Sequence, residues 1–328
     1  MTAERYDVAV IGGGPAGLAA ALWLARYLHT VVVIDSGDPR NWETRGINGY
    51  LGHQGIRSPE LRAIGRAECE SFGVTFVDGL VDTALNETGE LFAVHLRDGS
   101  EINARRILLA IGIKDVHPDI PGLDRCYGDT VHVCPDCDGY ETRDRKTVVI
   151  GTGRKAVGMA LALTTWTRAI VICTNGEKPD MDQELLNQLK VLNIPVIDAP
   201  IECVRSHESE IRAIDLRGGM ELDCERLYFA IGQYPADDLG AQLGCKRDDM
   251  GRLVIDDRNH TSVLNVFAAG DIAPGPQLAI GAAASGAVAA MAIHSSLVPD
   301  TRKLPDASPA KRSGQSAAKR SVEPAARG

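Results

Sequence analysis

The stretch Tyr6-Asp7-Val8-Ala9-Val10-Ile11-Gly12-Gly13-Gly14-Pro15-Ala16-Gly17 decides the fold of this chain. It opens as an apolar, β-rich run, stops at the glycines, and passes into LAAALWLARYL, whose residues favour helix and whose apolar positions have helical spacing. The pattern is strand, glycine turn, helix. Val31 to Ile34 supply a second strand ending on Asp35, where a carboxylate can accept hydrogen bonds from a ribose diol. In such a unit Gly12 makes the turn, Gly14 lets the backbone approach a pyrophosphate, and Gly17 allows close helix packing. The helix N-terminus adds N–H groups and positive potential.

The pattern returns later in the chain. Lys146 to Ile150 run into Gly151-Thr152-Gly153-Arg154-Lys155-Ala156, then a helix to about Thr165 and a strand from Ala169 to Cys173. Arg226 to Ile231 followed by Gly232 echo Arg106 to Ile111 followed by Gly112. The chain is therefore α/β with two Rossmann-like, doubly wound βαβ units. Between the first unit and its echo, Ser36 to Pro59 is rich in Gly, Asn and Pro and reads as an irregular excursion over a ligand. Pro59 to Phe72 is amphipathic helix, and Val74–Val77, Leu80–Leu85 and Leu91–Leu96 are short strands. From 300 to 328 the composition turns to Ser, Ala, Pro, Lys and Arg, which predicts a disordered basic tail.

Chemistry concentrates in Cys134-Pro135-Asp136-Cys137-Asp138-Gly139-Tyr140. Two thiols three residues apart on a short turn can cycle between dithiol and disulfide, and Asp138 can shuttle the proton that thiol–disulfide exchange moves. Pro135 stiffens the loop. A competing reading takes the CxxC as half of a zinc site completed by His117, Cys126 or His132, but the tight second pair of most structural zinc sites is absent and no metal is expected. Cys69, Cys173, Cys203, Cys224 and Cys245 are scattered, as small buried hydrophobes would be.

A net charge of −9 over 328 residues argues against nucleic acid or an anionic membrane as partner. The N-terminus shows no basic, apolar and cleavage regions of a signal peptide. The uncharged stretches Val8–Ala25 and Leu278–Ile293 read as a Gly-interrupted strand and helix and as a closely packed Ala/Gly helix. A cytoplasmic protein is expected, with thiols held reduced.

Over roughly residues 5 to 297, three motifs in order, GGGPAG with Asp35, CPDCDGY, and TSVLNVFAAGD, make the chain resemble the low-molecular-weight thioredoxin reductase family of flavoprotein disulfide oxidoreductases. The resemblance implies FAD held by Gly12, Gly14, Pro15, Ala16, Gly17 and Asp35, with Asp271 on the ribityl chain, Asn48 at the isoalloxazine, and Gln277 and Ala279 beside it. It implies that Cys137 faces the flavin, that Cys134 attacks the outside disulfide or dithiol, and that Asp138 is the acid/base. It also implies a homodimer and an FAD domain made from both chain ends, 1–117 and 247–299, with the CxxC domain, 118–246, inserted between them.

Departures from the family matter as much. Where NADPH-using relatives carry a cationic cluster for the 2′-phosphate, this chain reads Cys173-Thr174-Asn175-Gly176-Glu177-Lys178, and Gly158-Met159 stand where acids are usual. Pro276-Gln277-Leu278-Ala279 replaces an Arg-Gln-Ala sequence, which predicts the loss of a cation beside the flavin. The leading reading is an FAD enzyme exchanging electrons between Cys134/Cys137 and a protein or small-molecule disulfide or dithiol, without NADPH as direct donor. Its relatives without the clamp use ferredoxin, a second FAD in the empty site, or oxygen, as in dithiol oxidases of the gliotoxin and holomycin type. The DSGDPRN segment and the CPxC-x-GYE form resemble that last group, whereas Asp138 is reductase-like. The alternatives are an NADPH-dependent thioredoxin reductase and, in another class, a non-enzymatic flavin-containing redox sensor.

Overall fold

The computed structural model of the protein describes residues 5–304. β1 (Arg5–Ile11) and β2 (Val31–Asp35) lie parallel, Val8 opposite Val31 and Ile11 opposite Ile34, joined by α1 (Pro15–Arg26). Their apolar residues are buried on both faces, as parallel strands between helices require. Pro15 at the start of α1 removes an N–H that has no intrahelical partner there. α2 (Ser58–Ser71) leads to β3 (Thr75–Asp78), the parallel neighbour of β2. β4 (Val81–Asn86), β5 (Phe92–Leu96) and β6 (Glu101–Leu109) follow as an antiparallel meander whose last strand pairs parallel with β1. β5 uses β6 only as far as Ala104, so the second half of β6 is open to another strand.

β7 (Ile113–Asp115) carries the chain out of this sheet. β8 (Val131–His132), the short α3 (Pro135–Asp138), β9 (Thr147–Ile150), α4 (Gly153–Leu163), β10 (Ile170–Cys173), α5 (Gln183–Val191) and β11 (Val196–Ile197) come next. The stretch from 174 to 225, which carries no glycine-turn signature, holds α5, β11 and a three-stranded antiparallel meander. That meander is β12 (Ile201–His207), β13 (Glu210–Leu216) and β14 (Met220–Asp223). β15 (Arg226–Phe229) completes a second, wholly parallel sheet in the order β11-β10-β9-β15-β8. β9 and β15 are the strands expected from the repeated pattern.

The return crossing is β16 (Gln233–Pro235), which pairs antiparallel with β7, Gln233 opposite Asp115. The two echoed segments thus end in the two strands that join the sheets. α6 (Leu239–Gln242) follows, and Leu239 and Cys245 already lie in the first sheet's core with Val81 and Phe92. The chain has therefore begun to rejoin the first core before residue 247.

β17 (Val266–Ala268) fills the open half of β6, Val266 opposite Ile107. The strand expected across 261–271 is this short because Asn265 takes a left-handed φ of 67° and Thr261 Oγ1 donates to Val266 O at 2.8 Å, a turn just ahead of it. α7 (Ala279–Leu297) is long and apolar enough to cross a membrane by length and composition alone. Its Ala and Gly content instead serves close packing, since Gly286 lies so near Ala16 that a Cβ would overlap the Ala16 carbonyl. Beyond Ser296, Asp300–Arg302 make a single 3-10 turn with Lys303 on Asp300, so the expected tail begins in ordered turn, and its remainder, 305–328, lies outside the described residues.

Gly286→Val should force α7 off the start of α1. We expect a loss of about 2 kcal/mol, read as a lower denaturant midpoint.

Candidate active site

A cavity of about 550 Å³ runs from the glycine turn after β1 to the CxxC turn before β9. Ligand pockets occupy roughly 300–1,000 Å³. Gly12, Gly14, Pro15 and Ala16 line it at the start of α1, whose N-cap Gly14 provides no side-chain cap. At Gly14 a Cβ would touch nothing, so the bare backbone faces the cavity, whereas at Gly13 it would strike the Asp35 carboxyl. Gly17 sits behind the turn, where a Cβ would overlap the Gly12 carbonyl, so it packs and does not line. Asp35 accepts from Gly13 N at 3.1 Å and pairs with Arg62, which also donates to Gly13 O at 3.2 Å.

At the other end, Cys134 and Cys137 are disulfide-bonded, and both line the cavity with Asp138. Cys134 Sγ accepts from Cys137 N at 3.1 Å. Asn48, from the irregular 36–57 segment, donates to Cys137 O at 3.2 Å, and its own Oδ1 accepts from Gln54 at 3.0 Å. Behind the turn, Gly139 abuts Trp166, and Thr142 Oγ1 donates to Asp138 O at 3.1 Å and shares a 2.7 Å contact with Tyr228 OH.

Between the two ends lies an ion-pair network. Arg40 forks onto Asp115 at 2.6 and 2.8 Å and reaches Asp271 at 3.2 Å and Gln277 Oε1 at 2.9 Å. Gln233 of β16 donates to Asp115 at 2.9 Å and exchanges bonds with Gln277 at 3.0 and 2.9 Å. Burial raises the pKa of Asp271 above the usual carboxylate range, with Arg40 opposing. Burial also works against the Arg40 charge, but Asp115 and Asp271 outweigh it and raise its pKa.

A family model described as pyridine nucleotide-disulphide oxidoreductase matches residues 6–286. The chain belongs to that family. This disulphide oxidoreductase is 28% identical to the "Probable thioredoxin reductase" of Arthroderma benhamiae, over 82% of its own length and 74% of that protein. Among solved structures, HlmI superposes with a TM-score of 0.84 at 33% identity, covering 89% of this chain and 92% of HlmI. Thioredoxin reductase from Streptococcus pyogenes superposes with a TM-score of 0.83 at 25% identity, covering 90% and 98%. The protein is accordingly a flavoprotein oxidoreductase of thioredoxin-reductase-like fold, an enzyme with two Rossmann-like domains.

The sequence-expected residues Asn48, Asp271, Gln277 and Ala279 of this oxidoreductase all line the cavity with Gly12, Gly14, Asp35 and the cysteine pair. Arg40, Arg62, Asp115 and Gln233 were not legible as site residues. Their only signals are the DSGDPRN segment for Arg40 and, for Asp115 and Gln233, their places just past the echoed glycines. Close to Pro276, where the sequence lacks an Arg, Arg40 contacts Gln277 and Asp271, because the irregular segment after β2 folds back over the cavity. For the zinc reading, His117 packs on the rings of Tyr127 and Phe229 and Cys126 is fully buried. No group of three or more His, Cys, Asp or Glu among the described residues could hold a metal. Cys203 is not a buried hydrophobe: it is half-buried on β12, its Sγ 3.3 Å from Asp215.

Replacing Arg40 by Met should strand the carboxylate of Asp115, whose side chain is 3% exposed. We expect destabilisation by about 3 kcal/mol in chemical denaturation at neutral pH.

Proposed function

We propose that the enzyme moves two electrons between bound FAD and the Cys134/Cys137 pair, and on to or from a protein or small-molecule disulfide or dithiol, without NADPH as direct donor. One observation carries this: the disulfide, Asp138 and the glycine turn line a single cavity. Bound FAD would supply a two-electron store at its isoalloxazine. Gly12, Gly14, Pro15 and Ala16 would take its phosphates at the α1 N-terminus with Gly17 behind them, and Asp35 its ribose. Asn48, Asp271, Gln277 and Ala279 would hold the ribityl chain and ring.

The thiol chemistry belongs to the chain itself. A substrate thiolate bonds to Cys134 Sγ, the Cys134–Cys137 bond breaks, and its electron pair stays on Cys137. The second substrate sulfur then attacks the mixed disulfide, closing the substrate disulfide and releasing Cys134. The substrate is oxidised by two electrons, the cysteine pair is reduced by two, and Asp138 carries the protons from substrate thiols to the cysteines. Run backwards, the same steps reduce a disulfide.

The second glycine turn supports the exclusion of NADPH. Gly153 N donates to Pro179 O at 2.8 Å, and the Asp180 carboxylate lies against Gly153. Arg154 reaches Asp182 at 3.5 Å and Lys155 reaches Ile231 O at 3.2 Å, so both cations at the start of α4 have internal partners. Carboxylates at this helix start oppose a dinucleotide's phosphates. The NADPH-dependent reading is favoured by the intact β9–turn–α4 shape. The homodimer we propose would use the exposed apolar face of α7 with Ile280, Val288 and Met291.

Anaerobic titration of the FAD-loaded enzyme with a dithiol, NADPH, NADH and reduced ferredoxin in turn, followed by air, tests the reading. A dithiol should bleach the flavin, and Cys137→Ser should stop that bleaching with FAD still bound. Rapid bleaching by micromolar NADPH would overturn the donor assignment. Met291→Glu should lower the sedimenting mass of the dimer.

A further inference from the structure

His132 is the last residue of β8, opposite Tyr228 of β15, and its side chain is 6% exposed. Its Nδ1 lies 3.4 Å from Asp138 Oδ2, while its Nε2 is buried with no hydrogen-bond partner among the described residues. The ring leans on Tyr228 at 5.3 Å. A buried imidazole with one nitrogen on a carboxylate and the other unmatched is a poor packing choice, since an apolar ring would fill the same space without the unpaired group. The carboxylate it faces opens on the cavity that holds the disulfide.

We infer that His132 is a positioning residue for the thiol–disulfide step: with Asp138 it forms a proton relay that keeps the carboxylate aimed at the cysteine pair and shares its proton. The inference rests on the function proposed above and adds a second member to its acid/base. The Nδ1 of His132, 3.4 Å from Oδ2, keeps the Asp138 carboxyl on the cavity side of the CxxC turn. When a substrate thiol gives its proton to Asp138, the pair keeps that proton until the sulfur of Cys137 takes it, so no proton is gained or lost over the exchange.

Two phenols also face the pair. Tyr228 from β15 and Tyr127 from the turn before β8 are both pushed well above the ordinary phenol range, chiefly by burial, and both feel the Asp138 charge. Arg226 and Glu141 act on Tyr228 from further out, and Asp115, Arg40 and Glu43 on Tyr127. The relay differs from a lone acid after the CxxC in that a buried imidazole stands against the carboxylate.

The test uses the FAD-loaded full chain and reads reduction of the Cys134–Cys137 disulfide by dithiothreitol, by acid quench and thiol labelling, across the neutral pH range. It needs no flavin turnover. His132→Phe should slow the step about tenfold and displace the bend in its pH profile. His132→Gln, which keeps an N–H donor, should recover the rate to within about threefold but not the bend. The double variant His132→Phe with Asp138→Asn should be no slower than Asp138→Asn alone, because the two act through one another.

An unchanged rate and bend in His132→Phe, or losses that multiply in the double variant, would overturn the relay. If His132→Phe does not fold, His132→Gln decides, and an unmoved bend counts against the proposal. A wild-type pair that resists dithiothreitol removes both the relay and the function it rests on. A pair that is reduced normally while the flavin stays oxidised removes only the function.

Discussion

The antiparallel pairing of β7 with β16 is the constraint on which the site depends. One strand leaves the first sheet at Gly112 and the other returns from the second sheet at Gly232, and their hydrogen bonds fix the two crossings side by side. With the crossings tied, the CxxC turn before β9 and the glycine turn after β1 face one cavity, although they lie more than a hundred residues apart in sequence. Arg40 extends the tie. Its fork onto Asp115 of β7, together with the Gln233–Gln277 exchange, joins the crossing strands to the loop that follows β17.

Electrostatics around the cavity follow from burial. Asp271 and Asp237 both line it, and desolvation raises both, with Arg40 opposing at Asp271 and the Leu239 N–H opposing at Asp237. Such carboxylates keep their charge only where a cation or N–H group answers them. Arg40, from the irregular segment after β2, pairs with Asp115 and Asp271, and Arg62, on the helix α2, pairs with Asp35.

The two glycine turns share a shape and differ in what surrounds them. At the first, Gly14 presents open backbone to the cavity. At the second, the chain after β10 folds back so that Pro179 O occupies the Gly153 N–H and Asp180 stands beside it. The same local motif thus stands in two different surroundings, and the difference is carried by residues well outside the motif.

By itself the sequence determined both βαβ units, the CxxC turn and the family, because these rest on local spacing: glycines where the backbone must turn, apolar runs of strand length, and two thiols on one turn. The short crossing strands, the meander from β12 to β14 and the return of Leu239 and Cys245 to the first core were not legible, since two- to seven-residue strands gain their stability from partners distant in sequence. The same holds for the site. Cys134, Cys137, Asp138 and Asp271 announce themselves by motif, whereas Arg40 and His132 become site residues only through tertiary packing. A long, flexible guanidinium can answer a carboxylate from any loop that reaches it, and a buried imidazole acquires a role only from the carboxylate that folding brings to it.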